Sequence, residues 1–160
     1  MMKKILLTLS LFFLMMHSAF ADVSNIQVYQ RGEWGSLLKK NAGQAVAVHF
    51  WGVTCAPCVR EMPQWGKFLS ADRNAKVIFI QVDEVPLEAT KKMLAKARLD
   101  KASNYYLNIP FDDYFRHEID PQWRGETPMT LLIDKGGKIV RKTGLINFAE
   151  LKNWFAKGVY

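Results

Sequence analysis

The two cysteines of the chain are the residues whose type and spacing are best suited to chemistry. Cys55 and Cys58 lie three positions apart in the stretch HFWGVTCAPCVREMP, between an apolar run and a segment with helical periodicity. In the first turn of a helix, this spacing places both side chains on one face, with Cβ atoms roughly 5 to 6 Å apart. A small adjustment brings them to disulfide geometry, so the pair can open and close with little backbone movement.

Three roles are open to such a pair: a structural disulfide, part of a metal site, or a redox centre. A disulfide between Cys55 and Cys58 closes a very short loop, and short loops constrain the unfolded chain little. A zinc site needs four ligands, and only His49 and His117 with scattered carboxylates remain, at no familiar spacing. We therefore predict no resident metal and favour a redox centre.

The surroundings of the pair assign a different part to each sulfur. The apolar run 45–50 is typical of a buried strand, and a helix is predicted to begin at the cysteines. Free N–H groups and the positive end of the helix dipole favour a thiolate at Cys55, the predicted attacking nucleophile. Cys58, one turn further in, is predicted to resolve the mixed disulfide. Ala56 and Pro57 carry no charge, so this stabilisation must come from backbone and neighbours.

Short apolar runs alternate with helical periodicity along the rest of the chain. We predict strands at 26–30, 45–50, 76–82, 105–108, 129–133 and 138–143. We predict helices at 34–40, 57–70, from 86, at 111–119 and from 147. The paired glycines of DKGG mark a hairpin between the last two strands. This order predicts an α/β domain with a central mixed sheet covered by helices on both faces.

The second of these helices has an apolar pattern interrupted by one proline. Val59, Met62, Trp65 and Leu69 recur at helical spacing and are predicted to form its buried face. Pro63 lies inside the pattern, where it removes one backbone donor. We expect it to kink the helix without ending it.

The N-terminal residues have the pattern of a secretory signal peptide. Lys3 and Lys4 precede the apolar run 5–16, and an A-x-A pattern ends at Ala21. The apolar run is well short of the roughly 20 residues that span a bilayer. We predict cleavage after Ala21, one domain over 22–160, and an exported protein that does not span the membrane. In an oxidising compartment, a thiol pair becomes a disulfide unless something keeps reducing it.

The charge of the chain does not indicate nucleic-acid binding. The formal net charge is +7, but the basic residues are scattered and no recognition motif appears. A solvated basic surface is the simpler interpretation. No nucleotide or flavin motif is present either, so we predict no cofactor.

The cysteine stretch resembles a known family. FWGVTCAPCVREMP is similar to the F-W-A-x-W-C-x-P-C-x-x-E-x-P signature of the TlpA/ResA-like branch of the thioredoxin superfamily, which are exported thiol:disulfide oxidoreductases. The likeness extends to QVDE, to 86–108 and to GETPMTLLIDKGGKIV. It implies a thioredoxin-like fold with an inserted helix-strand element and a redox pair at Cys55 and Cys58. It also implies a cis-proline at Pro128 that presents the Thr127 backbone to an incoming peptide.

The resemblance further implies a direction and partners. The expected activity is the reduction of disulfides in exported periplasmic proteins, for example in cytochrome c maturation or metalloprotein assembly. Electrons would come from a membrane thiol transporter. Two alternatives stay open, a disulfide-forming oxidant and a copper-binding thiol chaperone. The same cysteine pair can reduce or form disulfides, so the sequence does not separate a reductase from an oxidant.

Four further residues are expected around the site. Trp51 is expected to pack beside the active-site turn, and Thr54 stands where the family usually has tryptophan. His49 occupies the strand position of a buried acid in thioredoxins; we expect a hydrogen-bonded core histidine, with a proton acceptor for Cys58 as the alternative. Glu61 is expected to pair with a cation on a solvated face, with a proton carrier as the alternative.

Overall fold

The computed structural model describes residues 26–157, whose strands form one mixed sheet. The strands are β1 (Ile26–Tyr29), β2 (Val46–Trp51), β3 (Lys76–Gln81), β4 (Ser103–Leu107), β5 (Met129–Ile133) and β6 (Ile139–Thr143). The helices are α1 (Glu33–Lys40), α2 (Ala56–Ala71), α3 (Leu87–Ala97), α4 (Asp113–Ile119) and α5 (Phe148–Lys157). The predicted signal peptide at 1–21 lies outside the described residues. Within 26–157, no helix has the length and apolar character needed to cross a membrane.

The order of the strands places β2 in the middle of the sheet. The sheet runs β1-β4-β3-β2-β5-β6. The strands β1, β4, β3 and β2 are parallel to one another. The strand β5 is antiparallel to β2, and β6 is antiparallel to β5. The terminal hairpin and the mixed sheet were both predicted and are confirmed. The predicted inserted element, α3 with β4, places β4 between β1 and β3.

Alternate residues of β2 point to opposite faces of the sheet, and both faces are covered. Val48 and Phe50 join the hydrophobic cluster on one face, which also contains residues of α1 and α4. Ala47 and Trp51 join the cluster on the other face, with residues of α2, α3 and α5. Because strands buried on both faces lack a polar alternation, the apolar run was a correct signal for a central strand.

The helix α2 runs unbroken through Pro63, as predicted. Its buried face is rotated relative to the prediction. Met62 and Trp65 are buried, but Val59 and Leu69 are only half-buried. The buried residues of the helix are Cys58, Glu61, Met62, Trp65, Gly66 and Phe68. Gly66 lies on this buried face, where a side chain would collide with the carbonyl oxygen of Ala97 in α3.

Candidate active site

The cysteine pair lies where β2 leads into α2. Cys55 is the N-cap residue of the helix, and its Sγ accepts a hydrogen bond from the backbone N–H of Cys58 at 3.3 Å. The two residues are joined by a disulfide, with Cα atoms 5.2 Å apart. Cys55 is half-buried, whereas Cys58 has 0% exposure. A partner protein can therefore reach only the Cys55 sulfur.

The residues between the cysteines keep the helix start free of charge. Ala56 is exposed and Pro57 is half-buried, and both belong to the first turn of α2. Pro57 costs the helix no hydrogen bond because first-turn N–H groups have no partner within the helix. No acidic side chain lies in this turn. The backbone and the helix N-terminus are therefore the groups that favour a thiolate at Cys55.

Pro128 lies at the same edge of the sheet as the cysteine turn. The Thr127–Pro128 peptide bond is cis, the geometry that the resemblance implied. Pro128 is buried and Thr127 half-buried, directly before β5. Met129 is paired with Phe50 in an antiparallel register, so the preceding position, Pro128, falls beside Trp51, the last residue of β2. The proposed contact of Thr127 with a substrate peptide stays a prediction.

Trp51 is the last residue of β2 and is 1% exposed. It belongs to the hydrophobic cluster that contains Cys58 and Met62, with Cys55 packed against it. Its carbonyl oxygen accepts a hydrogen bond from the N–H of Val82 at 2.9 Å. The indole thus lies beside the cysteine turn, where it was expected, and the backbone carbonyl of the same residue helps to fix the end of the strand.

Glu61 lies in the core, so the prediction of a solvated ion pair is wrong. It is 1% exposed, one helical turn after Cys58. Its Oε1 accepts from the N–H of Ile146 at 2.5 Å, and its Oε2 accepts from the indole N–H of Trp65 at 3.2 Å. Burial raises the pKa of the Glu61 carboxyl, and the two donated hydrogen bonds only partly oppose this. Glu61 falls at helical spacing between Cys58 and Trp65, but the same periodicity is compatible with a buried Val59, so the sequence did not decide between them.

His49 lies in the core facing the same helix. It is fully buried, its Nδ1 is 2.9 Å from the Thr130 hydroxyl, and its ring centroid is 4.8 Å from that of Trp65. Its Nε2 lies 3.5 Å from Oε2 of Glu61, which is a contact rather than a hydrogen bond. Burial lowers the pKa of His49 to about 3. The residue is therefore a neutral core imidazole near pH 7, as expected.

One group near the cysteines was missed at the level of sequence. The Asp83 carboxylate follows β3 and accepts hydrogen bonds from the backbone N–H and the hydroxyl of Thr54, at 2.6 and 2.8 Å. The two residues are 29 positions apart in sequence. QVDE contributed to the family likeness, but nothing local indicates that its aspartate reaches the residue before Cys55.

The structure does not bring the two candidate zinc-ligand histidines together. His117 is exposed on α4, which packs on the face of the sheet opposite to His49 and α2. Across residues 26–157, no group of three or more His, Cys, Asp or Glu side chains is arranged to hold a metal ion.

The chain is similar in sequence to proteins named thiol-disulfide oxidoreductases. It is 28% identical over 116 residues to sporulation thiol-disulfide oxidoreductase A of Bacillus subtilis, covering 71% of this chain and 68% of that protein. It is 32% identical over 106 residues to thiol-disulfide oxidoreductase ResA of Bacillus cereus, covering 66% of this chain and 57% of ResA. No protein-family model matches the chain.

Solved structures show the same fold. A secreted Mycobacterium tuberculosis disulfide oxidoreductase homologous to E. coli DsbE matches with a TM-score of 0.60 at 16% identity, over 74% of this chain and 85% of that one. StoA of Bacillus subtilis matches with a TM-score of 0.55 at 24% identity, over 71% and 84% of the two chains. At these identities, the likeness establishes the thioredoxin-like fold and no more.

The sheet order, the two helical layers and a cysteine pair at the start of α2 define the class as a thioredoxin-like protein. In sequence, the chain is similar to the ResA-like thiol-disulfide oxidoreductases. It spans 57% of the length of ResA, so the substrates and partners of that protein do not carry over to it directly.

Proposed function

We propose that the chain exchanges dithiols for disulfides in other exported proteins through Cys55 and Cys58. The observation that carries this proposal is the asymmetry of the pair. Cys55 caps the helix and is reachable, whereas Cys58 is fully buried one turn behind it. A nucleophile needs access and a stabilised thiolate, and a resolving thiol needs only to reach the first sulfur.

In the proposed cycle, the Cys55 thiolate attacks one sulfur of a substrate disulfide. A mixed disulfide forms and the other substrate sulfur leaves as a thiolate. The Cys58 thiol then loses its proton and attacks Cys55 Sγ, which closes the Cys55–Cys58 disulfide and releases the second substrate thiolate. The substrate gains two electrons, and the enzyme loses them. A dithiol partner must then return two electrons to the enzyme.

We assign the proton of Cys58 to Glu61. Both side chains are buried on one face of α2, at a spacing that places their Cβ atoms roughly 5 to 6 Å apart. A raised carboxyl pKa brings Glu61 closer to a thiol, and proton transfer is efficient when the two values are close. His49 is the weaker candidate, because an imidazole with a pKa of about 3 is a poor base for a thiol.

We infer that the direction in the cell is reduction. The family resemblance supports this. Because no nucleotide or flavin motif appears in the sequence, the electrons for reduction would come from another protein. A periplasmic reductase of this kind takes its electrons from a thiol transporter in the membrane. Cytochrome c maturation and metalloprotein assembly are the settings in which such reduced thiols are needed.

Trapping tests the order of the two cysteines. Cys58→Ser retains the nucleophile and removes the resolving sulfur, so we expect a mixed disulfide with substrate protein to accumulate on Cys55. Non-reducing electrophoresis with mass spectrometry identifies the linked residue. The matched control is Cys55→Ser, which should trap nothing. If Cys58→Ser accumulates no mixed disulfide while the wild type turns over, the assigned roles are wrong.

The reduction potential tests the direction. We expect a couple nearer to the roughly −270 mV of thioredoxin than to the roughly −120 mV of DsbA, with the pair largely dithiol in intact cells. Equilibration with thiol buffers gives the first value, and alkylation after acid quenching gives the second. A couple near the DsbA value, found mostly as disulfide, would instead assign the chain to the disulfide-forming oxidants.

A further inference from the structure

The Asp83 carboxylate anchors the turn that presents Cys55. Its Oδ2 accepts from the N–H and hydroxyl of Thr54. The side-chain amide of Gln81 donates to Oδ1 and to the Asp83 carbonyl oxygen. Gln81 has 0% exposure. A buried amide and both donors of the turn residue before Cys55 therefore converge on one carboxylate.

The space around this carboxylate is closely fitted. A Cβ atom at Gly52 would lie 3.0 Å from Cγ and Oδ2 of Asp83, which is tighter than ordinary van der Waals contact. Glycine at this position lets the end of β3 approach the turn. Cys55 is tied to the same segment, because its N–H donates to the Gly52 carbonyl at 3.4 Å. The turn from 52 to 55 is thus held from both ends.

The carboxylate also brings a negative charge to the redox centre. Burial alone would raise the pKa of Asp83, but the hydrogen bonds from Thr54 and Gln81 outweigh it and lower the pKa below its ordinary value. Asp83 is therefore ionised at neutral pH, hydrogen-bonded to the residue next to Cys55. A helix N-terminus and the N–H of Cys58 favour a thiolate at Cys55, whereas a nearby anion opposes it.

We propose that Asp83 is a positioning residue that fixes the turn before Cys55 through Thr54 and makes the Cys55 thiol less acidic. The proposal rests on the proposed exchange function and adds a residue that influences the reduction potential of the cysteine pair. A less acidic Cys55 means a less stable thiolate in the reduced enzyme. Destabilising the reduced form makes the couple more reducing, which suits a reductase.

Replacing the charge tests the proposal. Asp83→Asn keeps an oxygen for Thr54, and Gln81 can rotate its amide to accept from the new side chain. We expect the measured pKa of the Cys55 thiol to fall by roughly half a unit to one unit, the size of a charge effect over several ångströms near a surface. The reduction potential should shift in the oxidising direction. Thiolate absorbance and alkylation rate against pH give the first quantity, and thiol-buffer equilibration gives the second.

Glu84→Gln is the matched control, since it removes the same charge one residue further on from an exposed side chain. Its effect on the Cys55 pKa should be clearly smaller. Equal shifts in the two variants would overturn the proposal, because they would reflect net charge alone. A shift only in Asp83→Asn, with the sign given above, supports it.

A second pair of variants decides the matter if Asp83→Asn does not fold. Thr54→Val removes the hydroxyl that partly neutralises the carboxylate, so the Cys55 pKa should rise slightly, opposite to the effect of Asp83→Asn. Thr54→Ser keeps the hydroxyl and should match the wild type. Identical pKa values in Thr54→Val and Thr54→Ser would overturn the proposal. Trapping with Cys58→Ser tests the exchange function separately, so the two failures are distinguishable.

Discussion

Replacing Glu61 with glutamine is expected to slow resolution of the mixed disulfide by roughly 10² to 10⁴-fold, the usual contribution of a positioned general base. Cys58 is buried, so its proton needs an acceptor inside the protein, and Glu61 lies one turn away. Glutamine has nearly the same shape but cannot take a proton. Single-turnover decay of a preformed mixed disulfide measures the step directly, separate from attack by Cys55.

The pH dependence distinguishes a proton acceptor from a packing role. In the wild type, the resolving rate should level off above the pKa of Glu61, whereas in Glu61→Gln it should keep rising with hydroxide concentration. Glu88→Gln is the control, an exposed carboxylate at the first turn of α3. If Glu61→Gln resolves within a few-fold of the wild type and keeps its pH profile, Glu61 is not the acceptor.

Acid is expected to destabilise the fold through His49. Its pKa is about 3 in the folded protein and 6.5 in the reference state, so the unfolded chain binds the extra proton. The stabilising contribution is present above pH 6.5 and is lost as the pH falls toward 3. At about 1.4 kcal/mol for each pKa unit, the loss by pH 4 is on the order of 3 kcal/mol. His49→Asn cannot take up this proton, so it should lose less free energy of unfolding between pH 7 and pH 4.

Glu61, which faces His49, has the opposite effect on the pH dependence of stability. The His49→Asn variant is therefore compared with the wild type, which has the same glutamate. The raised pKa of Glu61 gives a contribution that is full at low pH and is lost as the pH rises through its folded value. Urea unfolding at both pH values gives the difference for each protein, and His117→Asn serves as control because that side chain is exposed. Equal acid losses in His49→Asn and the wild type would contradict the assignment.

The order and type of the strands and helices could be predicted because they depend on local pattern. A run apolar on both faces gave the central strand β2, helical spacing gave α2, and DKGG gave the last hairpin. The rotation of α2 could not be obtained in the same way. Val59 and Glu61 both lie at helical spacing from buried residues of α2, and the packing of the helix against its neighbours decides that Glu61 is buried and Val59 only half-buried.

The amino-acid sequence by itself determined the reacting atoms: two sulfurs one helical turn apart at the start of a helix, which short-range geometry is enough to place. Only the tertiary structure decided what surrounds them. Glu61 and His49 meet because α2 lies over β2, and Asp83 reaches Thr54 because β3 ends beside it. Such contacts join residues far apart in the chain, so no local pattern encodes them, and burial then sets the pKa values on which the chemistry depends.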